Sequence, residues 1–229
     1  MRYIIFAILI TAFQFISYSQ TSTEDYLGSW YTYGSNHRLN ERFSINPYAE
    51  LRFYEASSNY NLAFVSIRGN YHFKKNQSIG FGYAYLNIDT LFEFDEEPNV
   101  HEHRLFQQYT KYHRLNTLKL SHRVRLEQRF QDFTPNSELQ NRFRYKIQAR
   151  YDINKTLFLV VSEEPFVNFQ DQVFHENRFY TGLGINFLKN SQLQIGYLKQ
   201  HIRKHNLNRI QMGISIQTDA RKQNTIVHL

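Results

Sequence analysis

The sequence predicts an all-β fold: an antiparallel up-and-down transmembrane β-barrel of about 10 strands, with 12 as the alternative count, behind an N-terminal signal peptide. Three observations carry this expectation. Side chains separate by parity over long stretches, most cleanly in LKLSHRVRLEQRFQ. There Leu118, Leu120, His122, Val124, Leu126, Gln128 and Phe130 share one face of a strand, and Lys119, Ser121, Arg123, Arg125, Glu127 and Arg129 share the other. Neighbouring segments repeat the pattern, joined by connections that alternate between short and long. The chain also begins like an exported protein.

The leader comes first. Met1 to Ser19 has Arg2 as its charged start, an apolar run from Tyr3 to Ala12 extended through Phe13, Phe15 and Ile16, and the small residues Ser17 and Ser19 before Gln20. The run falls short of the roughly 20 apolar residues that a membrane-spanning helix needs, so export and cleavage are expected. The expected division is residues 1–19 as signal peptide, 20–41 as an N-terminal rim or plug, 42–218 as the barrel and 219–229 as a tail.

Tyr26 to Tyr33, YLGSWYTY, is aromatic enough for a strand but is expected to lodge at the barrel mouth. Arg42 to Tyr54 sets Phe43, Ile45, Pro47, Ala49, Leu51 and Phe53 against Ser44, Asn46, Tyr48, Glu50 and Arg52. Asn61 to Phe73 sets Ala63, Val65, Ile67, Gly69, Tyr71 and Phe73 against Phe64, Ser66, Arg68, Asn70 and His72. In Ile79 to Ile88, Phe81, Tyr83 and Tyr85 oppose Gly80, Gly82 and Ala84, whose small size leaves room for long arginines of neighbouring strands. His101 to His113, the parity-defining strand and Leu139 to Tyr151 follow, the last setting Phe143, Tyr145, Ile147, Ala149 and Tyr151 against Arg142, Arg144, Lys146, Gln148 and Arg150. Thr156 to Asn168, Asn177 to Leu188, Gln192 to Ile202 and Asn208 to Gln217 complete the wall.

Among the connections, KKNQS, RLNT, DINK and KNS are short, whereas LFEFDEEPNV, DFTPNSE and FQDQVFH are longer. Outer-membrane barrels put short turns on the periplasmic side and longer loops outside, so an even set of strands brings both wall ends to the short-turn side. Alternation alone fits a soluble barrel with its faces inverted equally well. Strand length, Tyr and Phe towards strand ends, and the density of the charged face favour the membrane. Turning Arg123 and Arg125 towards lipid would cost about 2–4 kcal/mol each near the midplane.

Composition agrees with this fold. Aromatic residues make up 17% while mean hydropathy is −0.58, as alternating strands require and as helical spans do not. The absence of cysteine removes disulfides, thiolate metal sites and a lipid-anchoring cysteine. The formal charge of +7 becomes +6 once the signal, with Arg2 and no acid, is removed. A basic chain with interleaved aromatics raises nucleic acid as a partner. In RVRLEQRF and NRFRYKIQARY, however, arginines and aromatics take opposite faces, whereas single-strand binders place rings beside the cationic groove, so no nucleic acid is expected.

The series Glu102-His103-Arg104, His122 to Phe130 and Asn141-Arg142-Phe143-Arg144-Tyr145 resembles the exported barrel proteins grouped as domain of unknown function 2490. Glu164-Pro165-Phe166-Val167-Asn168, Asn177 to Gly184 and Gly196-Tyr197 agree with it. The resemblance spans essentially the whole mature chain. It implies a Gram-negative outer-membrane barrel and carries over no catalytic residue, because that family has no assigned activity.

The inward face is expected to gather Glu50, Arg52, Arg68, Glu102, Arg104, Arg123, Arg125, Glu127, Arg129, Arg142, Arg144, Glu164 and Arg178, with Arg150 beside them. Guanidinium forks and carboxylates on one face form either a packed ion-pair network, which a narrow barrel favours, or the lining of an anion-preferring pore. His101 and His103 lie on one strand face after Glu93, Asp95, Glu96 and Glu97, a spacing without the specificity of a metal site; no metal and no cofactor are expected. Ser121 and His122 are adjacent and so oppose each other; His175 with Glu176 lies at an outer loop with no matched serine standing out, and loss of a lipid-cleaving activity on substituting His175 or Ser162 would be the mark of an enzyme. The expectation is a non-enzymatic outer-membrane barrel, either a narrow passive channel or a structural and docking component with a packed lumen. A lipid-modifying hydrolase is the alternative. Its partners would be outer-membrane lipid and, through the outer loops, other envelope proteins.

Overall fold

The computed structural model describes residues 24–90, 99–133, 136–170 and 173–222. The expected signal peptide, most of the acidic loop before Val100 and most of the expected tail lie outside these residues.

The wall consists of β1 (Leu27–Arg38), β2 (Phe43–Phe53), β3 (Tyr60–Lys74), β4 (Gln77–Ile88), β5 (Val100–Leu115), β6 (Leu118–Phe133), β7 (Asn136–Asp152), β8 (Leu157–Asn168), β9 (Phe174–Leu188), β10 (Ser191–Ile202) and β11 (His205–Asp219). Consecutive strands pair antiparallel. The barrel closes by a parallel seam between β1 and β11, from Leu27 beside Asn208 to Arg38 beside Asp219. Eleven strands therefore form the described wall, between the two counts that the sequence allows.

The seam corrects two expectations. Leu27–Arg38 is a wall strand, bonded to β2 on one edge and β11 on the other, instead of a rim or plug. An open edge facing hydrocarbon would leave a row of backbone groups unsatisfied, and a parallel pairing removes that edge even though the strand runs the unexpected way. An odd strand count also places the two wall ends at opposite rims.

The connections follow expectation in outline. At one rim they run 39–42, 75–76, 116–117, 153–156 and 189–190; at the other they run 54–59, 89–99, 134–135, 169–173 and 203–204. The second rim carries the longest connection, but DFTPNSE is not a long loop, because β6 and β7 continue to Phe133 and from Asn136. Asn116 sits at φ 55° in a tight turn, a left-handed conformation that asparagine tolerates.

The two faces of the wall differ sharply, apolar outside and charged inside. Val65, Ile67, Phe81, Leu159 and Ile195 point outward and are 45–57% exposed, whereas Glu102 and Glu127 point inward and are 0% exposed. An exterior of this kind is stable against hydrocarbon. Polar groups on it satisfy one another: Gln107 Nε2 donates to Gln128 Oε1 at 3.0 Å, and His122 Nδ1 lies 2.7 Å from the Tyr145 hydroxyl. Outer-face rings pair towards the strand ends, as Phe43 with Tyr71 and Tyr31 with Phe53.

Inside, rings share the lumen with charge. One cluster joins Trp30, Phe158, Val160, Tyr180 and Leu198, and another joins Leu62, Phe64, Ala84, Leu86 and Phe106. Gly80 does leave space for Arg68 and Asn70. At Gly82 the space is taken by the Phe106 ring instead, and Gly184 does the same for Phe158.

Candidate functional site: an arginine-rich lumen

Strand alternation places residues two apart on one face, roughly 7 Å along the strand, which is within reach of a long side chain. The chain uses this spacing repeatedly: Glu50 with Arg52, Glu102 with Arg104, Glu176 with Arg178, and Arg125, Glu127 and Arg129 in series. Neighbouring strands then add partners across the ladder.

Glu102 on β5 accepts from Arg104 Nε at 2.7 Å, from Arg129 Nε and Nη2 at 2.9 and 2.8 Å, and from Gln131 Nε2 at 3.0 Å. Glu127 on β6 is the hub. Its Oε2 accepts from Arg142 Nε and Nη2 at 2.8 and 2.7 Å and its Oε1 from Arg144 Nη1 at 2.8 Å, with Arg125 and Arg104 at 3.5 and 3.7 Å. Glu164 on β8 accepts from Arg123 Nη2 at 2.5 Å and Arg144 Nε at 2.9 Å. Charge assistance and shared forks make these strong bonds, and burial of the carboxylates makes each partner necessary.

Rings extend the assembly. The Arg125 guanidinium lies 4.2 Å over Phe106, and Arg142, Arg144 and Arg178 lie within 5.0 Å of the Phe166 centroid. Trp30 of β1 takes Arg52 of β2 at 3.8 Å and Arg178 of β9 at 4.9 Å, which joins both sides of the seam to the network.

The sequence-predicted residues all face the lumen, but they are not all paired. Glu50 bonds Arg52 and the Tyr48 hydroxyl, the latter at 2.7 Å. Arg68 makes no ion pair among the described residues; its Nε donates to Asn70 Oδ1 at 2.7 Å. Arg150 sits near the short-connection rim, 2.7 Å from Asp152 and 3.5 Å over Phe158.

Several participants escaped the sequence reading. Glu176 accepts from Arg178 Nε at 2.5 Å and Gln200 Nε2 at 2.6 Å and lies 3.8 Å from Arg142. Its signal was present, since it shares parity with Arg178, but the expected strand began one residue too late, at Asn177. Gln108 accepts from Arg125 Nη2 at 2.6 Å, and Arg209 Nη1 donates to the Phe53 carbonyl at 2.7 Å. The inward rings had no signal in the arginine-rich blocks, where aromatics do face out.

A cavity of about 420 Å³ lies inside the barrel next to this network. It reaches Asn36, Asn46 and Gln217 towards the short-connection rim and Arg104, Arg144 and Glu164 in the middle. Beyond it, towards the long-connection rim, Glu102, Glu127, Arg129 and Arg142 are all at most 8% exposed, so the lumen is filled there.

The other candidates are placed as follows. His101 and His103 face outward beside Tyr85 and Tyr83, their Nδ1 atoms 2.8 and 2.6 Å from the two hydroxyls; Glu93, Asp95, Glu96 and Glu97 lie outside the described residues. No group of three metal-ligating side chains occurs among the described residues. Ser162 lines the lumen, while His175 borders a hollow on the outer face with Glu163 and Pro165, so the wall separates the two.

A family model described as "Protein of unknown function (DUF2490)" matches residues 27–211, nearly all of the wall. No curated protein matches the chain. Among solved structures, a NanC porin in a rhombohedral crystal form is similar at TM-score 0.53 and 12% identity, covering 83% of this chain and 98% of that chain. That likeness is one of fold, and the fold is porin-like.

Proposed function

This chain belongs to the DUF2490 family of proteins of unknown function, and from that premise we propose that it is an integral outer-membrane barrel, exported through a cleaved signal peptide, whose filled lumen makes it a structural or docking component. The apolar exterior and the porin-like fold support the location. In this reading its partners are outer-membrane lipid around the wall and other envelope proteins at the loops.

The observation that carries the closed lumen is Glu127. It is 0% exposed and meets arginines from β5, β6 and β7, and Arg142 and Arg144 carry the contact on to Glu176 and Glu164. A hydrated conduit would leave such groups wet.

One observation favours a second reading, a narrow anion-preferring channel: eight arginines and lysines line the cavity against two glutamates. Single-channel recording of the refolded protein, after a gel shows heat-modifiable migration, separates the two. Silence is the expected result. Discrete steps with anion preference would overturn the filled lumen and establish the channel.

A further inference from the structure

We infer that the lumenal cavity is a binding site for a small multivalent organic anion bearing carboxylate or phosphate groups. The argument starts from charge balance. The eight cationic side chains that line the cavity are served by Glu50 and Glu164 on its wall and by Glu102, Glu127 and Glu176 behind it, five carboxylates in all. Those five also serve Arg129 and Arg142, so the surplus at the cavity is at least three positive charges.

The surplus has an address. Arg68 and Lys146 form no ion pair among the described residues, and Arg123 uses only Nη2 on Glu164, its buried Nε having no hydrogen-bond partner. Arg68, Arg125 and Lys146 are all within electrostatic reach of Arg123, so like charges converge on the cavity wall. An anion bound among them removes that repulsion and gives Arg68 and Lys146 the carboxylate or phosphate partner they lack.

Size and lining suit an organic ligand. The volume of about 420 Å³ falls within the roughly 300–1,000 Å³ range of small-molecule pockets and far exceeds the roughly 30 Å³ share of one water. The rings of Trp30, Tyr48 and Phe106 and the neutral polar side chains of Asn46, Ser66 and Gln211 also line the cavity. These neutral groups serve the uncharged part of a ligand. The filled half of the lumen makes the site dead-ended, with access from the short-connection rim.

Trp30 is the single tryptophan of the chain, so its fluorescence reports on the cavity. The refolded protein, verified by heat-modifiable migration, is titrated at about 150 mM salt, a Debye length of about 8 Å, with sodium citrate and with sodium pyrophosphate; glucose is the neutral control. The expected result is a saturable change with citrate or pyrophosphate and none with glucose. Citrate alone identifies a carboxylate ligand and pyrophosphate alone a phosphate ligand. The double variant Arg68→Gln, Lys146→Gln weakens binding by about tenfold or more. Lys146→Arg, which keeps the charge, and Lys204→Gln, in the exposed turn at 203–204, bind like the parent. No saturable change in a folded barrel, an equal response to glucose, or an equal loss in Lys204→Gln overturns the site. A conducting barrel that still binds citrate would refute the closed lumen and leave the site standing.

Discussion

Replacing Glu127 with glutamine removes one charge from the middle of the lumen while keeping the side chain's shape. In the native protein Oε2 holds both donors of Arg142 at 2.8 and 2.7 Å and Oε1 holds Arg144 at 2.8 Å. An amide has one accepting oxygen, so the NH2 group must face either Arg142 or Arg144, donor against donor. A hydrogen bond to a charged group contributes about 1.5–3 kcal/mol, so one or two bonds are lost outright. Arg104 and Arg125 also lose their nearest negative charge on β6. Breaking a buried pair by removing one partner costs about 3–5 kcal/mol, and Glu127 is 0% exposed, so the full range applies. That is roughly two to three and a half powers of ten in the folded-to-unfolded ratio. The assay is urea unfolding in lipid vesicles, followed by Trp30 fluorescence and by heat-modifiable migration, with the Glu127→Gln midpoint well below the parent's. A loss under about 1 kcal/mol, the value of an exposed pair, would mean that water screens the hub and would refute the filled lumen.

Two further outcomes test the placement of the wall. Gly82→Ala drives a methyl into the Phe106 ring and is expected to lose about 1–3 kcal/mol, whereas Gly69→Ala meets nothing within 4 Å on the outer face and should stay within about 0.5 kcal/mol; equal effects in urea unfolding would reverse the assigned faces. Cysteines at Tyr33 and Ile214, register partners across the parallel seam and both on the outer side, are expected to oxidise to a disulfide in a chain with no native cysteine, since adjacent strands lie about 4.8 Å apart. A non-reducing gel without the crosslink would return residues 27–38 to the lumen.

What the sequence determined by itself was the faces of its most strictly alternating strands, those at 42–54, 61–73, 79–88, 118–131 and 139–151. Side-chain direction in a strand has period two, so Arg123, Arg125, Glu127 and Arg129 had to share one side whatever their neighbours did, and the cost of charge in hydrocarbon chose the inside. Barrel architecture and the charged core of the lumenal face followed from that local rule, while Glu176, Gln108, Arg209 and the inward rings did not. The tertiary structure alone decided how the wall closes and which inward groups meet. Whether Leu27–Arg38 plugs the mouth or completes the wall depends on the free edge of β11, nearly two hundred residues away in the chain, and parity cannot see an edge. Partner choice is equally non-local: Arg68 and Arg144 obey the same alternation, yet one is left with an amide and the other holds two glutamates, because register and barrel stagger set which side chains lie opposite. The surplus charge around the cavity is a sum over β2 to β9, and it existed only once those strands were brought together.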